Sequence, residues 1–137
     1  RPSGYTLLEI MVVVFILGLL VTIVAPRIMG RTDEARVTAA VANMKSIEQA
    51  LNLYRLDNGA YPTTEQGLEA LVTRPTAPPA PKVWRAEGYL TRVPLDPWGN
   101  AFVYVLETPA RYTLRNLGAD GVEGGEGLDA DIDSRAR

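Results

Sequence analysis

The 137-residue sequence contains no cysteine and no histidine. Disulfides, thiolate zinc sites and imidazole acid–base chemistry are therefore excluded. Ser3, Ser46 and Ser134 have no histidine to activate them, so a His-based hydrolase triad cannot be assembled. A basic excess is also missing. Lys and Arg number 14 against 16 Asp and Glu, for a formal net charge of -2. No basic face is implied, and nucleic acid is not an expected partner. The lack of cysteine does not fix a compartment, but it suits an oxidising one. The length fits one modest domain plus an appendage.

What is present is one long apolar run, Tyr5 to Ala25, with no charge from Ile10 onward. Its single acid, Glu9, stands near the start. A carboxylate at a helix centre in lipid costs roughly 2.5–3.5 kcal/mol on insertion scales, so such a residue calls for a partner or a task. Three readings compete. A cleaved secretory signal has a shorter apolar core and a small-residue cut, and here Pro26 follows Ala25. A plain membrane anchor suits the length, about 31 Å of helix, but leaves Glu9 and the polar leader Arg1-Pro2-Ser3-Gly4 unexplained.

The third reading takes the leader into account. Gly4-Tyr5-Thr6-Leu7-Leu8-Glu9 resembles the class III (prepilin) signal of the type IV pilin-like superfamily. The resemblance implies cleavage between Gly4 and Tyr5 by a prepilin peptidase, N-methylation of Tyr5, and a role for Glu9 in assembly. Pro26 matches a proline that commonly kinks the family's helix, while Tyr5 replaces the usual Phe. A new amine on Tyr5 gives Glu9 a partner, either in its own helix or in a neighbouring subunit. Two such charges are less costly in lipid together than apart.

Beyond Pro26 the pattern becomes amphipathic. Ala35, Val37, Ala40, Val41, Met44, Ile47, Leu51, Tyr54 and Leu56 recur at spacings of three and four. Asp57-Asn58-Gly59 is a stop signal. One helix from Thr6 to Leu56 is expected, roughly 75 Å long, with a kink or local melting at Pro26. A short helix, Glu65 to Val72, capped by Thr63 or Thr64, is expected next. The Pro-rich stretch Arg74 to Pro81 reads as a connecting loop rather than an SH3-type ligand. Ala101 to Leu106 and Ala110 to Asn116 read as strands around a turn at Glu107 to Pro109. The fold class is α+β: a long N-terminal helix, part transmembrane and part amphipathic, on a small antiparallel sheet.

The strings Tyr61-Pro-Thr-Thr-Glu-Gln-Gly-Leu-Glu-Ala-Leu71 and Asp96-Pro-Trp-Gly-Asn100 narrow the resemblance to G-type pseudopilins of type II secretion systems. Pilins usually close a C-terminal loop with a disulfide, which this chain cannot form. Asp96 to Asn100 is expected to be a rigid turn packing Trp98 on the sheet. The segment Leu117 to Asp133 mixes glycine with carboxylates, a pattern suited to Ca2+, which takes oxygen ligands and needs neither His nor Cys. Asp129-x-Asp131-x-Asp133 does not complete an EF-hand, because Ser134 replaces the glycine. The alternative is a solvated acidic tail. The family resemblance implies one Ca2+, held by Asp120, Asp131 and the Leu117 carbonyl, with the third side chain left between Asp129 and Asp133.

The implied organisation is a leader at residues 1–4, a transmembrane filament-core segment at 5–25, and a periplasmic head at 26–137. The protein is expected in the bacterial inner membrane, single-pass, N-terminus cytoplasmic and head periplasmic. Its role would be a non-enzymatic subunit that polymerises into a pseudopilus driving export of folded proteins. Implied partners are copies of itself, minor pseudopilins, the prepilin peptidase, an inner-membrane assembly platform and an outer-membrane secretin. The competing roles are a minor pseudopilin or type IV pilin, and a membrane-anchored calcium-binding protein or enzyme.

Overall fold

A computed structural model describes residues 4–135. The leader residues Arg1, Pro2 and Ser3 lie outside the described residues. Helix α1, Leu7–Asn58, is the dominant element. It is followed by a 3-10 turn, Leu68–Leu71, and by strands β1, Val103–Thr108, and β2, Arg111–Asn116. A second 3-10 turn, Gly127–Asp129, precedes β3, Ile132–Asp133. The chain divides between Ala35 and Arg36 into two units.

In the N-terminal unit, helix runs through Pro26 without interruption, so the local melting expected there does not occur. Proline removes one hydrogen bond, but the neighbouring turns stay helical. Thr6 starts the helix: its Oγ1 accepts a hydrogen bond from the Glu9 amide at 3.1 Å. Among the described residues, the large apolar side chains from Leu7 to Val24 stand exposed, with Leu7 79% and Phe15 68% exposed.

In the C-terminal unit, the second half of α1 carries the core. Met44, Ile47, Leu51 and Tyr54 pack with Leu71, Phe102, Tyr104 and Leu114. Their spacing along the helix is the three-and-four pattern that puts apolar groups on one face. Gly59 ends the helix at φ +81°, a left-handed conformation that glycine takes without a Cβ penalty, and its amide bonds the Arg55 carbonyl. The sheet is antiparallel with order β1-β2-β3. The hairpin turn falls at Pro109 and Ala110, starting two residues and ending one residue later than the sequence pattern indicates, and a bulge lies between Leu106 and Thr108.

Three local expectations need correction. The short helix begins later, as a 3-10 turn, because Gly67 at φ +63° breaks the αR backbone before Leu68. Thr63 still caps the preceding turn: its hydroxyl accepts from the Gln66 amide while the Gln66 side chain accepts from the Thr63 amide. Trp98 is half-buried and stands outside the core cluster. Ile132 and Asp133, expected within the acidic loop, form strand β3; two residues carry no readable alternation and pair only where β2 offers an edge. The Pro-rich stretch is a connecting loop as expected, held by Gln66 Nε2, which donates to the Ala77 and Pro79 carbonyls.

A polar clasp fixes the next loop to the end of α1. Arg85 Nε and Tyr89 Oη both donate to Asp57 Oδ2 at 2.8 Å. These hydrogen bonds, from Arg85 first and Tyr89 second, hold the Asp57 carboxyl below its ordinary value. Burial and the Asp57 hydrogen bond push Tyr89 up to about 12. A depressed carboxylate contributes stability that is complete above its unfolded pKa, about 4, and vanishes as pH falls through the folded value. Thermal melting of Asp57→Asn should therefore lie below that of the parent at pH 7. The gap should close as pH drops below about 4, and a constant gap down to pH 2 would contradict the clasp.

Candidate functional site

Two regions carry the residues singled out by sequence: the start of α1 and the acidic loop. At the start, Gly4, Tyr5 and Glu9 are all exposed. Thr6 and Glu9 occupy the first and last positions of a T-x-x-E capping sequence, with Thr6 bonding the Glu9 amide. The T-x-x-E spacing by itself encodes this local role for the pair. The helix is long and apolar enough to cross a membrane. It presents an unbroken apolar surface of a size that monomeric soluble proteins rarely show.

The acidic loop is organised from a buried hub, Asp96. This carboxylate is 4% exposed and accepts three hydrogen bonds. Its Oδ1 takes the Trp98 and Asn100 amides at 3.0 and 2.7 Å. Its Oδ2 takes Nδ2 of the fully buried Asn116 at 2.7 Å. Asn116 Oδ1 in turn accepts the Gly118 amide at 3.0 Å. An acceptor-only carboxylate thus ties the Asp96–Asn100 turn to the first residues of the loop. Sequence gave no sign of this pairing, because the partners are 20 residues apart.

The loop folds back on itself. The Ala119 amide donates to the Leu128 carbonyl at 2.9 Å. A Cβ on Gly118 would meet the Asp129 carbonyl at 2.7 Å, and one on Gly125 would meet it at 2.6 Å, so backbone passes close by both glycines. Asp120 Oδ1 accepts the Val122 amide, and Asp131 Oδ2 accepts the Gly124 amide. Asp129 is exposed, Asp131 half-buried. Asp133 lies in β3 opposite Arg115, and its Oδ1 accepts the Arg135 amide. Among the described residues no group of three or more acidic side chains is gathered into a metal-holding cluster. The donors are nonetheless all oxygens, the chemistry a hard divalent cation takes. One of them, Asp131 Oδ1, is buried without a hydrogen-bond partner among the described residues, which is the feature a bound cation would answer.

Arg115 enters the same loop from β2 and was not singled out by sequence. Its Nη1 pairs with Glu123 at 2.8 Å and lies 3.9 Å from Asp131 Oδ2. The Glu123 carboxylate, first by hydrogen bond and then by charge, raises the Arg115 pKa.

A helix with a bare apolar start, an amphipathic continuation on a small sheet, and a cysteine-free acidic loop defines a pilin-like anchored subunit. Residues 27–135 match the family described as Type II secretion system (T2SS), protein G. Residues 1–25 match the prokaryotic N-terminal methylation motif. The type II secretion system core protein G of Pseudomonas aeruginosa is 55% identical over 133 residues, covering 96% of this chain and 94% of that protein. Its Vibrio cholerae counterpart is 50% identical, covering 96% and 90%. The crystal structure of the major pseudopilin from the type 2 secretion system of enterohaemorrhagic Escherichia coli superposes with a TM-score of 0.69 at 39% identity. It covers 80% of this chain and 94% of that one. The chain belongs to the protein G family of type II secretion systems.

The hub has a direct test. Asp96→Asn replaces an acceptor by an amide that must turn its NH2 toward one of three donors. The variant should lose roughly 1–3 kcal/mol of stability. Amide exchange should rise at Trp98, Asn100 and Gly118, and unchanged protection at Gly118 would contradict the coupling.

Proposed function

We propose that this chain is the major structural subunit of a pseudopilus, a non-enzymatic protein whose working form is a homopolymer. The observation that carries the reading is the apolar first half of α1, bare in the single chain. Lipid covers such a helix before assembly, and like helices cover it afterwards. The methylation motif over residues 1–25 supports cleavage by the prepilin peptidase between Gly4 and Tyr5 and methylation of the new amine. We place the N-terminus on the cytoplasmic side of the inner membrane and the head in the periplasm. From there the filament works with minor pseudopilins, an assembly platform and the outer-membrane secretin to drive export of folded proteins.

Glu9 sets axial register by pairing with the methylated amine of a neighbouring Tyr5. Glu9→Gln keeps the Thr6 cap and nearly the same shape but removes the charge. Filaments sheared from over-expressing cells should fall by at least about tenfold, the scale of one lost ion pair of ~1.4 kcal/mol. The variant should still be inserted and processed. Parent-level filaments would sink the register role.

The acidic loop binds Ca2+ in this reading, with Asp120, Asp131 and the Leu117 carbonyl as ligands and Asp129 as the third side chain. The orphaned Asp131 oxygen supports it. Bound calcium would supply positive charge that stiffens the loop at the end of the head. Calcium should raise the melting midpoint of the parent over its value in EDTA, and Asp120→Ala should abolish that rise. Identical melting curves in calcium and EDTA would remove the site.

A further inference from the structure

Two buried side-chain polar atoms lack hydrogen-bond partners among the described residues: Arg115 Nε and Asp131 Oδ1. One is a cationic donor and the other an anionic acceptor. They belong to residues whose charged groups stand 3.9 Å apart. Chance burial of two unrelated groups gives no reason for opposite signs on adjacent side chains, whereas a charge pair with room to close or open does. We infer that Arg115 is the resident cation of the acidic loop. Its guanidinium attracts Asp131 across 3.9 Å when no metal is bound, and a divalent cation must overcome that attraction, so Arg115 sets the loop's metal affinity.

Geometry supports this exchange. Arg115 sits on β2, a strand paired on both sides, so its backbone is fixed while its fork can choose between carboxylates. It keeps Glu123 at 2.8 Å, an exposed residue outside the proposed ligand set. When a metal draws Asp131 away, Arg115 therefore retains a partner and is not left bare. Asp133, the other nearby acid, faces Arg115 across the β2–β3 pair. With the metal absent, the guanidinium offsets the mutual repulsion of Glu123, Asp131 and Asp133. The inference rests on the calcium reading, and it makes Arg115 an affinity-setting residue rather than a ligand.

The test is calcium titration calorimetry on the full chain in detergent micelles, with melting in EDTA alongside. Arg115→Gln should bind calcium about tenfold or more tightly than the parent, the usual size of coupling between linked sites, and melt lower in EDTA. Glu123→Gln should do the reverse, since Arg115 then has Asp131 as its chief partner and calcium binding weakens. Lys82→Gln, the same charge change at an exposed position away from the loop, should leave affinity within about twofold. Equal tightening by Lys82→Gln and Arg115→Gln would reduce the effect to net charge and overturn the inference. Calcium binding of unchanged affinity in both Arg115→Gln and Glu123→Gln would overturn it while leaving the calcium site intact. No calcium uptake by the parent or the variants would overturn the site and the inference together. Should Arg115→Gln fail to fold, the Glu123→Gln and Lys82→Gln arms still decide it.

Discussion

The helical backbone of the apolar segment satisfies its own hydrogen bonds, so side chains alone decide what can surround it. In the second half of α1 the chain supplies its own answer. Met44, Ile47 and Leu51 are fully buried against the sheet and the 3-10 turn. In the first half Leu7, Phe15 and Ile23 stay largely exposed among the described residues. One element therefore faces two solvents. Burial in the head stabilises the monomer, while the bare segment leaves a large apolar area that lipid or a partner helix would remove from water. Assembly is then favoured by the same physics as folding, postponed to a partner.

The head has a second organising constraint, the buried carboxylate of Asp96. A buried polar group is costly unless its hydrogen bonds are complete. Asp96 completes them with two turn amides and the Asn116 side chain, and Asn116 completes its own with Gly118. Satisfaction therefore propagates from the Asp96–Asn100 turn into the acidic loop. A loop rich in glycine has high conformational freedom when unfolded. Its entry point is fixed here by side chains outside it, which lowers the entropy that any bound cation would have to offset.

Much of the architecture was legible because it is periodic or punctuated. The helix showed in the spacing from Val37 to Tyr54, its end in Gly59, and the hairpin in the alternation of Val103 to Leu106 and Tyr112 to Leu114. The parts that were not legible depend on tertiary pairing. β3 has only Ile132 and Asp133, and exists because β2 offers an edge. The 3-10 turn at Leu68 depends on the backbone of Gly67, which a propensity argument places inside a helix. In the candidate site, the acids of the loop were visible as a cluster. Arg115, the cation among them, reads in sequence as an ordinary strand residue, and only the fold brings it to Glu123 and Asp131.

Glu9 shows how magnitudes decide between a local and an assembled role. As the last residue of the Thr6 capping sequence, it lies in the first turn, where an acid interacts favourably with the helix dipole. That interaction contributes about 0.3–1 kcal/mol. A carboxylate in lipid costs roughly 2.5–3.5 kcal/mol near a helix centre and less toward the ends. Glu9 is four residues past Tyr5, about 6 Å along the axis. At the membrane surface the cap alone could offset the charge. In the proposed filament core water would leave, and the cap would fall short by ~2 kcal/mol. A neighbouring amine removes that deficit only when it lies in the correct register. On the proposed reading, the same carboxylate is tolerable in a single anchored chain and demanding in a polymer, so it would discriminate between packings without hindering insertion.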